Sequence, residues 1–547
     1  MKRILLFILA ISIMAVPFCS GCTLGNKVIT LTPSGKNDTA QIKSAINSLK
    51  KRGELILNEG TYYVDDELKI NNKRNIKIKG KNATLIRTGV ELKNEKTDNN
   101  RVFYFEGCEN VAVSGLTIKY DAVTSVSGVV VERLASDGKI IIKPNDNQNP
   151  KGNETYCAIN TFDEDGTPNT VLEKYNNDGF DSTLNEDGTI SLSGFSYDEV
   201  NLLTNGTRVG LRASLSSDPV IKILDTADIV FEHITVHNSF SGVFFTDGRT
   251  TDVTLRKINI SPEDENSYFS SNADGLHVAA MGGKLLVKDC TFIGLGDDCV
   301  NVHGAGYTVK SVTDNTVMGY NDRYNVPAMS FWAREGDEIE FYDKYTFRLL
   351  GSAKLKKIVS TSGEMTFDEI PEGVRKGVVM SNKTMHPTVE ITGCIVISNR
   401  ARAFLIQTED AVIKNCAIRN TRLAAILIAP DMNYWYEMSP GRNITISNNM
   451  ITNCGKGADA AILIAAAHDV EVAYPADVNR DITIKNNTFN ACPSALRATS
   501  VKGLTFTNNT LNNIGAAHLK YAVTATRCEG VSVKDNILNN CTVKLYE

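Results

Sequence analysis

A repeated phrase constrains the fold of this chain more than any other feature. Its clearest copies begin at Ile444, Ile482, Leu504 and Val531, and weaker copies begin at Ile76, Val111, Ile229, Val253, Leu285, Val389 and Ala411. In each copy apolar and polar residues alternate, which is the period of a β-strand. Successive starts outside the long interruptions lie 22 to 38 residues apart, a length that suits one coil of a solenoid. The sequence therefore predicts an all-β fold, a right-handed parallel β-helix.

A second strand recurs within the coils. Residues 424–429 and 460–465 are the same hexapeptide, Ala-Ala-Ile-Leu-Ile-Ala, and residues 402–406 and 495–498 resemble it. The alternative that these segments are amphipathic helices fails, because their apolar runs extend over only five or six residues. We expect them to stack as neighbouring strands of one sheet.

The repeat has a cap at its start and two long interruptions. Asp38 and Thr39 precede an apolar stripe of helical spacing that includes Ile42 and Ile46, and Gly53 follows, so we expect a capping helix. The interruptions contain Asp-Gly and Asn-Gly turns or short alternating runs, which are typical of antiparallel hairpins. The predicted segments are 1–21 (signal), 27–124 (cap and first coils), 125–215 (inserted β-domain), 216–304 (coils with the acidic motifs), 305–385 (second inserted β-domain) and 386–547 (C-terminal coils).

The charge balance limits the partners. There are 58 Lys and Arg residues against 63 Asp and Glu residues, which gives a formal net charge of -5. Such a chain has no cationic field to attract a phosphate backbone, so we expect no nucleic-acid partner. After residue 25 no apolar run approaches the roughly 18 to 20 residues that a membrane-spanning helix needs.

The N-terminus has the pattern of an export signal. Lys2 and Arg3 precede an apolar run over 4–18, which ends in Cys-Ser-Gly-Cys at 19–22. The Ser-Gly-Cys ending resembles a bacterial lipobox, which implies cleavage before Cys22 and lipidation of its thiol. Ordinary secretion is the alternative, because Cys19 stands where Leu or Val is commoner. We expect an enzyme anchored by lipid in a bacterial cell envelope, with the membrane face left open.

The cysteines predict buried ladders better than a disulfide framework. Cys290, Cys394 and Cys416 occupy one register of the repeat, and Cys454, Cys492 and Cys541 occupy a second. Residues at one register stack on one another, so these side chains would lie buried in rows, although disulfide pairing stays open. They lack the close spacing and the His partners of a zinc site, and no metal or other cofactor is expected.

The richest polar cluster lies in two consecutive copies of the repeat. Asp274 and His277 stand 24 residues before Asp298 and Asn301, and Asp297 and His303 flank the second pair. A shift of one coil would place Asp274 beside Asp298, about 4.8 Å away. Strand alternation turns Asp297 outward, but it turns Asp274 and Asp298 inward unless a corner redirects them.

Crowded carboxylates have a chemical use. Placing like charges together raises the pKa of at least one acid, so that it keeps its proton. Glycoside hydrolysis requires such a pair, an acid for the leaving oxygen and a base for water. A calcium site or solvated corner residues are the alternatives.

These phrases resemble a known family. Asn-Ala-Asp-Gly at 272–275, Gly-Asp-Asp at 296–298 and His-Gly at 303–304 resemble the active-site phrases of polygalacturonase-like glycosidases. The longer wording, with Asn-Arg-Ala-Arg at 399–402, is similar to the α-1,3-galactosidases of glycoside hydrolase family 110. The resemblance implies release of terminal α-1,3-linked galactose with inversion, as from blood-group B or linear α-galactosyl glycans. It also implies that Asp297 is the acid and that Asp274 and Asp298 hold the water. Inversion requires acid and base carboxyls about 6.5 to 9.5 Å apart.

Other residues are candidates for sugar binding. The candidates are His277, Asn301, His303, Trp332, Arg334, Glu335, Arg402 and Trp435. Two other classes of function remain: a lyase, epimerase or hydrolase acting on uronate polymers, and a non-catalytic glycan-binding solenoid. The oligomeric state is left open, with a dimer as one option.

Overall fold

The chain forms a right-handed parallel β-helix that carries two antiparallel inserts, as the sequence predicted. The structure, a computed structural model, describes residues 27–49, 52–90, 100–213, 218–323, 326–328, 332–466 and 475–546. The predicted signal peptide and Cys22 lie outside these residues. Within them, no helix combines the length and the apolar character needed to cross a membrane.

Two sets of parallel strands form the walls of the solenoid. The larger, a 22-stranded sheet, comprises Lys27–Leu31, Gly53–Leu57, Gly60–Val64, Arg74–Arg87, Glu109–Tyr120, Ala227–Val236, Thr251–Arg256, Asn259–Ile260, Gly282–Lys288, Thr291–Ile293, Thr388–Thr392, Ile395–Ile397, Glu409–Lys414, Ala417–Arg419, Arg442–Ser447, Met450–Thr452, Asn479–Lys485, Thr488–Asn490, Val501–Thr507, Thr510–Asn512, Ser532–Lys534 and Ile537–Asn539. The twelve-stranded sheet comprises Leu68–Asn71, Phe103–Glu106, Ile221–Leu224, Phe244–Asp247, Leu276–Val278, Val300–Val302, Phe404–Ile406, Ile426–Ile428, Ile462–Ile464, Leu496–Thr499, Tyr521–Thr526 and Lys544–Tyr546. The acidic motifs lie on this second sheet.

The repeat sets the register between coils. Ile444 pairs with Ile482, which pairs in turn with Leu504, so copies of the phrase stack directly. The two identical hexapeptides also stack, because Ile426 pairs with Ile462. Apolar residues at these positions are buried, and fully burying such a side chain contributes about 1.5–3 kcal/mol. Periodic burial thus holds each coil on its neighbour.

Two kinds of side-chain ladder follow the solenoid. Asn449, Asn487 and Asn509 stack at one corner. The side-chain amide of Asn449 donates to Asn487 Oδ1, and that of Asn487 donates to Asn509 Oδ1. Cys290, Cys394 and Cys416 are buried free thiols in successive coils. The predicted placement of these three cysteines in a buried row is confirmed.

The N-terminal helix spans Thr39–Ser48 and buries Ile42, Ala45 and Ile46 against the first coils. It closes the end of the hydrophobic interior. Asp38 occupies the N-cap position of this helix, but its side chain makes no cap hydrogen bond and instead accepts from the backbone N–H of Ser34. The helix also ends at Ser48, before Gly53.

Both interruptions form antiparallel sheets. The first insert contains Ser125–Leu134, Lys139–Pro144, Tyr156–Phe162, Pro168–Tyr175, Asp181–Leu184, Ile190–Ser193 and Arg208–Ala213, with the α-helix Tyr197–Leu202 and the 3-10 helix Ala135–Asp137. The second insert contains Gly304–Thr313, Thr316–Asn321, Val326–Pro327, Glu338–Tyr342, Leu349–Val359, Glu364–Phe367 and Val379–Asn382, with the 3-10 helix Lys383–Met385. An eighth strand, Glu437–Met438, comes from a later coil and pairs with Gly304 and Ala305.

Candidate active site

Two neighbouring coils bring the acidic motifs together. His277 pairs with Asn301, and Leu276 with Val300, so the one-coil shift of 24 residues expected from the sequence is present. The acids lie at the corner immediately before these strands. This corner turns Asp274 outward, because its carboxylate reaches His277 on the outer side of the sheet.

Asp274, Asp297 and Asp298 form one carboxylate cluster. One oxygen from each lies within 4.8 Å of the others. Asp274 and Asp298 are buried, whereas the side chain of Asp297 is 46% exposed. The backbone N–H of Asp298 donates to Asp274 Oδ1 at 2.9 Å, which ties the two buried acids together. Asp297 is therefore the acid that a bound sugar reaches most easily.

The separation of the acids differs from the sequence expectation. Oxygens within 4.8 Å of one another are closer than the roughly 6.5 to 9.5 Å expected for an inverting pair. The difference arises because all three acids belong to adjacent coil corners, whose spacing is set by the hydrogen bonding of parallel strands.

Two arginines from the next coil offset the negative charge. Arg402 donates its backbone N–H to Asp298 Oδ1 at 2.9 Å, and its guanidinium lies 3.1 Å from Asp298 Oδ2. Arg400 approaches Asp297 Oδ1 at 3.3 Å. Because these two guanidinium groups offset part of the negative charge, they weaken the attraction of the cluster for a calcium ion.

Burial dominates the titration of the inner acids. It raises the pKa of Asp298 to about 7 against the attraction of the Arg402 guanidinium, and the neighbouring carboxylates of Asp297 and Asp274 add to the rise. Burial also raises the pKa of Asp274, although the hydrogen bond from His277 opposes that rise. The raised pKa expected for at least one member of the cluster is thus present at Asp298 and Asp274, which are the two acids that the resemblance assigns to holding the water.

A chain of polar side chains continues from Asp274. Asp274 Oδ2 lies 2.5 Å from His277 Nδ1, and His277 Nε2 lies 2.9 Å from His303 Nε2. Burial lowers the pKa of His277, but the bond to Asp274 more than compensates and raises it overall. Burial and the nearby His277 lower the pKa of His303 to about 3. The lowered pKa favours the neutral form of His303, and the raised pKa favours the protonated form of His277 beside Asp274.

The predicted sugar-binding residues fall into different settings. His277, Asn301, His303 and Arg402 lie beside the acids, with Asn301 and His303 buried. Arg334 and Glu335 are exposed on the second insert, where Arg334 lies 3.8 Å from Asp225. Trp435 is 49% exposed, and the guanidinium of Arg323 lies 4.0 Å from its ring centroid.

The prediction that Trp332 stacks on a sugar is wrong. Its side chain is only 2% exposed and packs against Tyr307 in the core of the second insert. Its indole N–H donates to the carbonyl of Ala305 at 2.8 Å. The alternating pattern around Trp332 did not distinguish a surface strand from the core of a small domain.

Comparisons with known proteins find similar sequences among α-1,3-galactosidases. An α-1,3-galactosidase B of Bacteroides thetaiotaomicron is 26% identical over 367 residues, which are 63% of this chain and 59% of that protein. An α-1,3-galactosidase B of Phocaeicola vulgatus is 30% identical over 46% of this chain and 45% of its own length.

Part of the chain is thus similar in sequence to α-1,3-galactosidases.

The relationship does not extend over whole proteins, since the chain spans only about half the length of the α-1,3-galactosidases it matches. Residues 376–546 match the family described as the right-handed beta helix region. Among solved structures, the catalytic unit of a GH87 α-1,3-glucanase from Streptomyces thermodiastaticus covers 96% of this chain and 66% of its own, with 11% identity and a TM-score of 0.44.

Sequence reasoning missed three residues that lie near the carboxylate cluster. Arg400 stands in the quoted Asn-Arg-Ala-Arg phrase, where only Arg402 was selected. Glu173 of the first insert binds the guanidinium groups of Arg400 and Arg422. The Oε1 atom of Glu437 lies 3.5 Å from His303 Nε2. Neither glutamate belongs to the repeat, so sequence spacing held no signal for it.

Proposed function

We propose that this protein is a glycoside hydrolase that removes terminal α-1,3-linked galactose from blood-group B or linear α-galactosyl glycans. The observation that carries the proposal is the meeting of Asp274, Asp297 and Asp298 on one wall of a β-helix related to the α-1,3-galactosidases. Membership of glycoside hydrolase family 110 is part of the same proposal. A pair of carboxyl groups supplies the acid and the base that this reaction needs.

Asp297 is the general acid in this mechanism. Its exposed carboxyl protonates the glycosidic oxygen as the bond from that oxygen to the anomeric carbon breaks. Asp298 and Asp274 hold the attacking water, and Asp298 takes its proton while the water oxygen bonds to the anomeric carbon. Galactose and the shortened glycan then leave, with Asp297 ionised and Asp298 protonated. Transfer of one proton from Asp298 to Asp297 restores the starting state.

Hydrogen bonding of the inner acids supports inversion. Both oxygens of Asp298 already interact with Arg402, and both oxygens of Asp274 accept from Asp298 or His277. A carboxylate held in this way is a poor nucleophile toward a sugar carbon but can still accept a proton from water. The oxygen separation within 4.8 Å favours the contrary result, since retaining pairs stand about 5–5.5 Å apart.

The flanking elements support action on a chain end. Tyr175 of the first insert lies on one side of Arg400, with the Arg400 guanidinium 5.3 Å from its ring centroid. The 431–437 loop also brings Glu437 to His303. Additional elements beside the acids suit one terminal sugar better than a polymer lying across the coils.

The test is incubation of the purified protein with galactose-α-1,3-galactose and with the blood-group B trisaccharide, following the released galactose by NMR. Initial appearance of β-galactose is the expected result, and the ratio of the two rates gives the preference for linear or branched glycans. Initial release of α-galactose would replace inversion with retention. Absence of release from both glycans would reject the proposal and direct the assay to uronate polymers.

The proposal includes a lipid anchor at Cys22 in a bacterial cell envelope. Its support is the pattern of residues 1–22, which lies outside the residues that the structure describes. The expressed full chain should incorporate labelled palmitate and sediment with membranes, whereas Cys22→Ser should do neither. A soluble, unlabelled wild-type protein would instead indicate ordinary secretion. The membrane face follows from protease accessibility in intact cells.

A further inference from the structure

A second polar cluster lies beside the three acids and uses different atoms. It consists of His277, His303 and Glu437, which come from two adjacent coils and from the 431–437 loop. His277 Nε2 and His303 Nε2 lie 2.9 Å apart, and His303 Nε2 lies 3.5 Å from Glu437 Oε1. One ligand atom of each of the three residues lies within 4.8 Å of the other two.

The opposite side of each residue is held by a separate partner. His277 Nδ1 bonds to Asp274 Oδ2 at 2.5 Å, and His303 Nδ1 bonds to the carbonyl of Gly304 at 3.1 Å. Gln407 Nε2 donates to Glu437 Oε2 at 3.3 Å. Since carboxylate and carbonyl oxygens only accept, both Nδ1 atoms carry protons. Because His277 Nε2 and His303 Nε2 lie 2.9 Å apart, one of these two nitrogens presents a lone pair to the other.

The facing atoms are not satisfied by hydrogen bonds among themselves. A proton on His277 Nε2 satisfies its contact with His303, but Glu437 Oε1 then still faces the lone pair of His303. Two acceptors at 3.5 Å repel one another in a buried site. A divalent cation between the three atoms would bond to all of them.

We propose that His277 Nε2, His303 Nε2 and Glu437 Oε1 bind one zinc-class divalent cation. Two histidines and one glutamate are a set of ligands that zinc uses in proteins, at about 2.0–2.2 Å from each atom. Ligand atoms at such distances and a tetrahedral angle lie about 3.4 Å apart. The 3.5 Å pair meets this value, and the 2.9 Å pair reaches it by a small movement of one imidazole ring.

The partners on the outer side strengthen this assignment. Histidines that bind metals usually donate their other N–H to a carboxylate or a backbone carbonyl, which orients the ring. Asp274 is such a partner for His277 Nδ1, and the Gly304 carbonyl is such a partner for His303 Nδ1. With zinc bound at Nε2, His277 would keep its proton on Nδ1 and donate it to Asp274. The positive charge of the zinc ion would then lie close to Asp274.

A similar cluster elsewhere provides the matched control. Glu340, His386 and Glu409 also have ligand atoms within 4.8 Å of one another. Arg442 donates to Glu340 Oε1 at 3.2 Å and to Glu409 Oε1 at 2.7 Å, so its guanidinium already occupies the space between these carboxylates. This second cluster should not bind zinc.

The test uses the full chain, stripped with a chelator and then titrated with Zn²⁺ or Co²⁺. Calorimetry and elemental analysis should give one ion per chain, and the Co²⁺ spectrum should show d–d bands without thiolate charge transfer. Glu437→Gln and His303→Gln should each weaken binding at least tenfold, whereas His386→Gln should leave it unchanged. Thermal unfolding checks that each variant folds, and zinc should raise the Tm of the wild type.

Several results would overturn the proposal. These are absence of stoichiometric binding to the wild type, binding that folded Glu437→Gln and His303→Gln leave intact, and a thiolate band that assigns the metal to cysteines. If Glu437→Gln does not fold, His303→Gln and the zinc-dependent Tm of the wild type decide the question. These readouts are independent of galactosidase activity, so a failure of the proposed function would not be mistaken for a failure of the metal site.

Discussion

Individual residues at the site differ in how strongly the protein holds them. Asp298 is fixed by the backbone and the guanidinium of Arg402, whereas Asp297 has one long contact with Arg400 and is half exposed. A general acid has to reach its substrate, and a base has to hold water in one place. The difference in exposure between neighbouring residues thus matches the two proposed roles.

Replacing Asp297 with Asn removes the proton that the leaving oxygen receives. We expect kcat on galactose-α-1,3-galactose to fall by about 100-fold or more, because general acid catalysis contributes at least that much. Circular dichroism and thermal unfolding should match the wild type, since Asp297 is exposed. Asp535→Asn, at an exposed position in a distant coil, is the matched control. Retention of full activity by Asp297→Asn would remove Asp297 from the mechanism.

The pH dependence should report Asp298. This carboxyl faces Asp274, Asp297 and Arg402, and burial raises its pKa to about 7. As a base it has to be ionised, so kcat/KM should fall as the pH decreases through about 7.

Arg402→Met tests this assignment. It removes a charge that favours the ionised form of Asp298, which raises the pKa of Asp298 and moves the acidic limb to higher pH. Arg402→Lys should restore part of the shift. An unchanged limb in a folded Arg402→Met variant would show that another group is the base.

At the scale of elements, the coil corners combine stability and function. The asparagine ladder closes one corner by hydrogen bonds between amide side chains and backbone atoms of adjacent coils. The acids occupy a corner of the twelve-stranded sheet, where the same stacking brings side chains from neighbouring coils together. The chemistry therefore depends on the register that the repeat sets.

The ladder should carry measurable stability. Asn487 is buried, donates to the Ile446 carbonyl at 3.0 Å and accepts from the Asn449 backbone N–H at 2.9 Å. Asn487→Ala leaves these buried groups unpaired, so the free energy of unfolding should fall by about 1–3 kcal/mol in chemical denaturation. Asn539 is an exposed residue of a separate asparagine row with Asn512, and Asn539→Ala should alter the free energy of unfolding by less than about 0.5 kcal/mol. Equal effects of the two changes would contradict a special contribution from the buried corner.

At the scale of the whole molecule, the inserts complete a site that the solenoid begins. The first insert supplies Glu173, which binds Arg400 and Arg422 from two different coils. The 431–437 loop, which pairs with the second insert, supplies Glu437. Insertions in a solenoid project from one side of the coils, and here two of them flank the same acids.

Glu173 should act as a positioning residue. Glu173→Gln weakens the hold on Arg400, which then loses its orientation toward Asp297, so kcat/KM should fall by roughly tenfold, as expected for the loss of a charge-assisted hydrogen bond. KM and kcat measured separately show which step suffers. Glu164→Gln, at an exposed position in the same insert, is the control and should match the wild type. Wild-type kinetics in Glu173→Gln would mean that the insert is only attached to the solenoid there.

Part of this architecture could be predicted from local sequence. Copies of one phrase predicted the coils, and aligning two motifs 24 residues apart predicted that His277 and Asn301 are neighbours. The burial of Trp332 could not be predicted in the same way. Apolar and polar residues alternate along the strands of a small inserted domain, and this alternation does not show which face of the strand is buried. The repeat predicted the wall but held no information on the packing of the inserts.

The sequence by itself determined the parallel β-helix, its register and the meeting of Asp274 and Asp298, because a regular repeat converts spacing along the chain into position along the solenoid. Only the tertiary structure decided the exposure of Asp297, the placement of Arg400 by Glu173 and the approach of Glu437 to His303. The physical reason is that these contacts join the inserts and loops to the coils, and such contacts depend on packing between non-repeating surfaces rather than on a period.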